Sequence, residues 1–354
     1  MSEEQTPIIY WFRQDLRLED LPALHAAAGS GAAIIPCFII DHETPGQWAP
    51  GNASHWWLRQ SLRALAGSIE ELGGNLLVRS GRSEDVLDEL VTETGAHAVY
   101  CSQAYEPWNR QLEQRLGKRL GDQGIALHCL PGALIFTPGD VLNQAGLPFK
   151  VFTPFWRHCR RQLPDGSLFA APQRGAFAGN TPPGLTPDEW PLTCSCVQPI
   201  ADWGSLWQPG ATGAMAALDR FLGDALPGYR EDRDIPSLPG TSRLSPHLHW
   251  GEISPRQVAH VLRARAPGDT EDDQEKFLAE LGWREFNQHL LFHFPHIDEQ
   301  PFKDDFKGMP WQSNAEAFEA WKAGRTGYPI VDAGMRELRA TGFMHNRVRM
   351  ICAS

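Results

Sequence analysis

The chain has 354 residues, 43 of them acidic against 32 basic, a formal net charge of −11 and a 42% hydrophobic composition. At about 100–200 residues per domain this length favours two domains. No apolar run reaches the roughly 18 residues of a membrane span, and the early run 34–40 is short and broken by Pro36, so the chain is expected to be cytoplasmic.

Short buried strands are predicted at 8–12, 34–40, 76–78, 98–101 and 125–130, with helical patterns between them at 21–28, 54–72, 83–94 and 108–123. Ser54 and Ser83 are placed as N-caps. Alternation of this kind predicts right-handed βαβ units, hence a doubly wound parallel sheet with helices on both faces. From 163 to 213 the sequence turns to Pro, Gly, Thr, Asp and scattered Trp without sustained periodicity, which reads as a long surface connection. Helical patterns alone follow, at 214–223, 254–266, 272–293, 314–323 and 331–341, with a last one starting near Phe343. The expected organisation is an α/β domain over 1–135, a connection over 136–213 and an all-α domain over 214–354. The last helix reaches Ser354 without a Gly, Asn or Pro stop, and Val348, Met350 and Ile351 ask for a partner, so the α domain is expected to be cut off within an element.

The seven cysteines form no CxxC pair, which argues against a disulfide framework and a structural zinc. Net acidity counts against nucleic acid, yet Arg325, Arg336, Arg339, Arg347 and Arg349 face only Asp332 and Glu337, which permits a local basic surface. There is no GxxxxGK[ST], and the turn Arg13-Gln14-Asp15-Leu16-Arg17 after the first strand has no glycine for a pyrophosphate. Its charges are expected to staple the domain. His289, His293 and His296 could share a helix face as metal ligands, but HExxH is missing and Pro295 interrupts the helix. They read as surface or supporting histidines, and no metal is expected. GxSxG is absent, which sets aside a serine hydrolase of that type.

Two stretches carry more chemistry. Thr241-Ser242-Arg243-Leu244-Ser245 clusters hydroxyls, an Arg and backbone N–H groups at a helix start, a suitable cradle for an oxyanion, although Ser and Thr there also serve as plain caps. Glu280, Trp283, Arg284 and Asn287 recur at spacings of three and four on one helix, presenting a carboxylate, an indole, a guanidinium and an amide to one surface. Asn346, Arg347 and Arg349 could form a second polar wall.

The run Thr326-Gly327-Tyr328-Pro329-Ile330-Val331-Asp332-Ala333-Gly334-Met335-Arg336-Glu337-Leu338, followed by Met344-His345-Asn346-Arg347-Val348-Arg349-Met350, closely resembles signatures of the photolyase/cryptochrome family. Trp11-Phe12-Arg13-Gln14-Asp15-Leu16-Arg17, Lys150-Val151-Phe152-Thr153-Pro154-Phe155 and Thr241-Ser242-Arg243-Leu244-Ser245 resemble further blocks. The resemblance spans residues 8–354 in order and is most like a class I cyclobutane pyrimidine dimer photolyase. It implies an α/β antenna domain and a helical domain holding FAD, with the phosphates on Tyr229 and on Thr241, Ser242, Arg243, Leu244 and Ser245. Phe277, Asn346 and Arg349 would lie near the flavin. Arg233, Glu280, Trp283, Arg284, Asn287, Asn346, Arg347 and Val348 would line the DNA-facing cavity.

The implied activity is light-driven repair of UV-damaged DNA by electron transfer from excited FADH⁻ to a flipped-out dimer. Trp283 would be the stacking platform, Glu280 a protonated hydrogen-bond partner, and Asn346 and Met350 further catalytic-site residues. Met350 favours the dimer enzyme over (6-4) repair. Trp311 matches the outer member of a tryptophan chain that reduces the flavin, its inner members falling beyond Ser354. Pro107-Trp108-Asn109-Arg110 departs from the Asn-Glu pair of folate-binding members, which argues against a folate antenna and leaves a second chromophore of another kind open. The protein is expected to act as a monomer. A cryptochrome-type photoreceptor without repair, or an inactive truncated product, are the other readings.

Overall fold

Burial of a parallel sheet on both faces demands continuous apolar strands, and the first half of the chain meets that demand. The computed structural model describes residues 6–192, 203–310 and 312–353. The strands are β1 (Ile8–Phe12), β2 (Ile34–Ile40), β3 (Leu77–Ser80), β4 (Ala98–Ser102) and β5 (Ala126–Leu130), all parallel in the order β3-β2-β1-β4-β5. Helices α1 (Pro22–Gly29), α2 (Asn52–Glu71), α3 (Ser83–Thr94) and α4 (Pro107–Gly121) complete the doubly wound unit.

Alternation along β1 and β2 splits the core in two. Ile9, Trp11, Ile35, Cys37 and Ile39 pack with α3 and α4 through Leu87, Leu90, Leu112 and Leu116. Ile8, Tyr10, Phe12, Phe38 and Ile40 pack on the opposite face with Leu24 of α1 and Leu58, Leu62 and Leu65 of α2.

Neither serine expected as an N-cap is one. The cap residues are Gly51 and Arg82, with no side-chain cap bond, and Ser54 lies inside the first turn of α2. At α3 the capping acceptor comes from across the fold: Asp41 Oδ2, just past β2, accepts from Ser83 N and Ser83 Oγ, both at 2.8 Å.

The stretch read as a surface connection does more than connect. Phe177, Trp190 and Leu192 enter the sheet core. Ala178 N donates to Ile34 O at 2.8 Å, and Leu185 N to Val78 O at 2.8 Å. Before it, α5 (Phe152–Arg160) is a helix that periodicity did not indicate. It buries Phe155, Trp156 and Cys159 in the helical core.

Then come α6 (Trp203–Leu206), α7 (Ala211–Arg220) running into a π-turn over Phe221–Ala225, α8 (Tyr229–Asp232), α9 (Ser245–His249), α10 (Pro255–Arg265), α11 (Glu271–His293), α12 (Ala315–Lys322), α13 (Pro329–Thr341) and α14 (Asn346–Cys352). Ser254 does cap α10, in a reciprocal box with Gln257. Residues of α5, α7, α8, α10 and α11 share one core, and Met335, Met344, Val348 and Cys352 of the last elements form a separate small one.

The charged turn after β1, expected to staple its own domain, also joins the two halves. Arg17, almost fully buried, donates to the carbonyls of Glu19, Asp20, Gly132 and Gly251 at 2.8–2.9 Å. Leu16 N donates to Trp250 O at 3.0 Å. Gly251 sits at φ +66, where an added Cβ would lie 2.1 Å from Gln14 O, so only glycine permits this approach. Buried Glu252 completes the seam by accepting from Trp57 Nε1 at 2.9 Å and from Ser61 Oγ of α2 while pairing with His247.

Candidate functional site

Helix α11 is long and carries core residues on one side, which leaves its polar residues where α8 approaches, and α14 reaches the residues that follow α8 through Arg347. Arg233, just past α8, is nearly buried and pairs with Glu280 of α11. It also donates from Nε to Asp234 Oδ1 at 3.2 Å and from Nη1 to Tyr229 Oη at 3.5 Å. The same Asp234 oxygen takes Arg347 of α14 through Nε at 2.8 Å and Nη2 at 2.7 Å. Lys276 reaches Glu280 at 3.7 Å. Three cations and two carboxylates thus form one continuous network from segments more than a hundred residues apart.

Slight burial works to raise the Asp234 carboxyl, but the bonds from Arg347 and Arg233 outweigh it and hold it below the ordinary carboxylate range. Glu280 was expected as a hydrogen-bond partner, protonated if desolvated. It lies between Arg233 and Lys276 with its side chain 26% exposed.

Beside this network Trp283 is exposed, 43% accessible, and one face of its indole rests on Phe152 with centroids 3.8 Å apart and planes 9° from parallel. Trp156 lies parallel to Phe152 on the same short helix at 6.5 Å, and Phe286 closes on Trp283 edge-on at 5.9 Å. Gly282 permits the packing, because a Cβ there would lie 2.4 Å from the Trp156 ring. An indole held from behind with its other side open is a ready platform for a flat ring.

The residues expected around the flavin also gather. Phe277 packs against Tyr229 at 5.4 Å, edge to face, both buried. Arg243 has left-handed backbone at φ +54 and lies over the rings of Phe343 and Trp207 at 4.7 and 5.6 Å, which brings the hydroxyl-rich loop to the chain leading into α14. Ser245 starts α9, Ser242 Oγ accepts from Leu244 N at 3.4 Å, Leu244 is core, and Thr241 is half-buried. Asn346, Arg349, Met350 and Asn287 are exposed.

Two expected residues stand elsewhere. Val348 faces inward, packed on Gly334 in the small core of α13 and α14, because α14 needs one apolar anchor. Arg284 donates to Ala133 O at 2.9 Å and Leu248 O at 3.3 Å, holding the domain seam instead of offering itself to DNA. Trp311 lies outside the described residues.

His289 is not a surface histidine. It is buried, accepts from Phe149 N at 3.1 Å, and burial with its neighbour His293 lowers it to about 4. His293 meets Pro138 O at 2.9 Å, and no metal-binding group of three ligands occurs among the described residues.

Sequence reasoning missed Asp234 and Lys276, and it quoted Phe152 without giving it a role. Asp234 could have been suspected as an acid abutting one expected phosphate-binding Arg, but its second partner is 113 positions away.

Comparison with known proteins agrees with this geometry. The family model described as DNA photolyase matches residues 8–173, and that described as the FAD binding domain of DNA photolyase matches 277–354. A deoxyribodipyrimidine photo-lyase from Agrobacterium fabrum is 41% identical over all of this chain and 73% of its own length. The chain belongs to the photolyase/cryptochrome family. Cryptochrome-2 of Arabidopsis thaliana is 35% identical over 98% of this chain and 58% of its own length. The crystal structure of a bacterial class III photolyase from Agrobacterium tumefaciens superposes with a TM-score of 0.93 at 40% identity, covering all of this chain and 73% of that one.

The family's FAD-binding domain is therefore present, and the described residues suit an anionic dinucleotide. Arg243 and Arg349 are exposed and have no carboxylate partner among the described residues, so two uncompensated cations remain on the elements that meet here. Family members often carry a second chromophore. A polar cleft at the seam, lined by Arg13, Ser102, Tyr105, Asn109, His249 and Gln288, opens where the strand order reverses, the usual ligand crevice of such sheets. No described helix is long and apolar enough to cross a membrane.

Proposed function

We propose that this chain repairs cyclobutane pyrimidine dimers in DNA in a light-driven reaction, as a monomer in the cytoplasm; the similarity to a bacterial class III photolyase favours that class over the class I resemblance of the sequence. The observation that carries this reading is the half-open Trp283 platform set beside a two-arginine network. A flipped-out lesion, whose ring faces need a surface to lie against once they leave the stack, and its flanking phosphates ask for that pair of features.

Tyr229, Thr241, Ser242, Arg243, Leu244 and Ser245 would hold the FAD phosphates, with Phe277, Asn346 and Arg349 beside the flavin. Held there and reduced, FAD would supply light-driven one-electron chemistry for opening the cyclobutane ring. Trp283, braced by Phe152, stacks against the dimer and compensates for the stacking it loses on leaving the duplex. Glu280, fixed by Arg233 and Lys276, marks the polar edge of that pocket and orients the pyrimidine ring. Arg233 and Arg347 take backbone phosphates, Asn287 and Asn346 lie on the polar rim, and Met350 lies one turn from Arg347, which reaches its sulfur at 3.9 Å.

The test is repair itself. A dimer-containing oligonucleotide incubated with flavin-loaded protein should lose its dimers under near-UV or blue light and keep them in the dark. Flavin-loaded protein that leaves the dimers intact in light sinks the proposal and favours the photoreceptor reading, which draws on the similarity to the Arabidopsis cryptochrome.

A further inference from the structure

A carboxylate inside a phosphate-binding face needs a reason, because it cancels attraction that the site requires. Asp234 is such a group. Its Oδ1 alone gathers Arg233 Nε at 3.2 Å, Arg347 Nε at 2.8 Å and Arg347 Nη2 at 2.7 Å. The two arginines are not held equally. Arg233 has 6% of its side chain exposed and is further tied to Glu280 and Tyr229, whereas Arg347 is 40% exposed and has Asp234 as its one carboxylate partner among the described residues. Without Asp234, Arg347 is a long side chain with many rotamers beside another cation. With it, the guanidinium is fixed next to Arg233, and Nη1, in contact with the Met350 sulfur at 3.9 Å, keeps a second N–H for a new acceptor.

We propose that Asp234 is a positioning residue that sets lesion specificity: it locks the Arg233 and Arg347 guanidiniums at one spacing, matched to the phosphates around a flipped-out dimer, while its charge weakens attraction for ordinary duplex. The inference rests on the dimer-repair reading above. Two effects follow from one carboxylate, and they have opposite signs on the two kinds of DNA. Pre-organisation favours the distorted backbone, since the arginine is ordered before binding. The negative charge, and the Nε–Nη2 edge it occupies, disfavour non-specific phosphate contacts.

The experiment compares wild type, Asp234→Asn and Asp234→Glu at equal flavin content, in the dark, by titrating a dimer-containing duplex and the same undamaged duplex over a salt series. For Asp234→Asn the dimer duplex should bind about 3–10-fold more weakly. The undamaged duplex should bind more tightly, with a log–log salt slope steeper by about one, the value of one added phosphate contact. Asp234→Glu keeps the charge and should keep wild-type affinity and slope for undamaged DNA. Affinities for both duplexes that move by the same factor in Asp234→Asn, or that do not move, overturn the assignment, since a purely structural or purely electrostatic role acts on both alike. A wild-type protein that binds the two duplexes equally would instead overturn the repair reading, and this inference with it.

Discussion

Trp283 shows how much one side chain can be asked to do. Its spacing on α11 groups it with Glu280 and Asn287, and 43% of it is exposed. The exposure is stabilised because the other face already has its partner in Phe152, 3.8 Å away. Replacing Trp283 with Ala should weaken binding to dimer-containing DNA by about 1–3 kcal/mol, the usual value of one stacked base, and leave binding to undamaged duplex nearly unchanged. Equal losses on both duplexes, measured by anisotropy titration, would remove the indole from the lesion pocket. Phe152→Leu keeps an apolar side chain but no flat surface. It should reproduce part of the Trp283→Ala loss while Phe152→Tyr restores it, and a Leu variant with wild-type affinity for dimer DNA would count against the bracing role.

At the scale of elements, α11 is the spine of the molecule, and its two faces were unequally readable. Its site face came from spacing, as did the boundaries of β1 and β2, where continuous apolar runs admit a single reading. Helix α5 did not. It is nine residues long, has Pro154 in its first turn, and shows its apolar side only against α11. Asp234 was unreadable for a related reason, because its role comes from a partner that only the fold brings near.

The buried face of α11 makes a pH prediction. Burial raises Glu285 to about 7, against the opposing influence of Arg284 and of the amides of Ile135 and Phe136. Burial lowers His289 to about 4, with His293 adding to the shift. A carboxyl with a raised folded value stabilises most below its unfolded value near 4.5, and that contribution is lost as pH rises through about 7. A histidine with a depressed value stabilises above its unfolded value near 6.5, and that contribution is lost as pH falls toward 4. Over this window the two slopes oppose each other in the wild type. Glu285→Gln can still accept from Ile135 and Phe136 and removes one of them, so its melting temperature relative to wild type should rise steadily from pH 4.5 to 7. Scanning melts across that range check it, and a flat difference would show that Glu285 does not titrate there in the folded protein.

For the whole molecule, what matters is that the α/β and helical halves are joined by buried polar groups bonded across the seam. Arg17 serves four carbonyls from both halves, and the three buried ones, of Asp20, Gly132 and Gly251, would lose this donor without it, a cost of about 1–3 kcal/mol per group left unpaired. Gly251 is the complementary half of that seam. Any other residue there adopts a left-handed backbone at about 1–2 kcal/mol and drives its Cβ into Gln14 O, which cannot retreat without pulling Leu16 and Arg17 from their bonds. Gly251→Ala should therefore lower the urea midpoint and split one unfolding transition into two, with intrinsic Trp fluorescence and far-UV circular dichroism no longer coinciding. Gly223→Ala is the matched control, since a Cβ at that position meets nothing within 4 Å, and it should leave midpoint and cooperativity as they are. A Gly251→Ala protein that melts like wild type in a single transition would mean that the seam between the halves carries none of the stability this geometry implies.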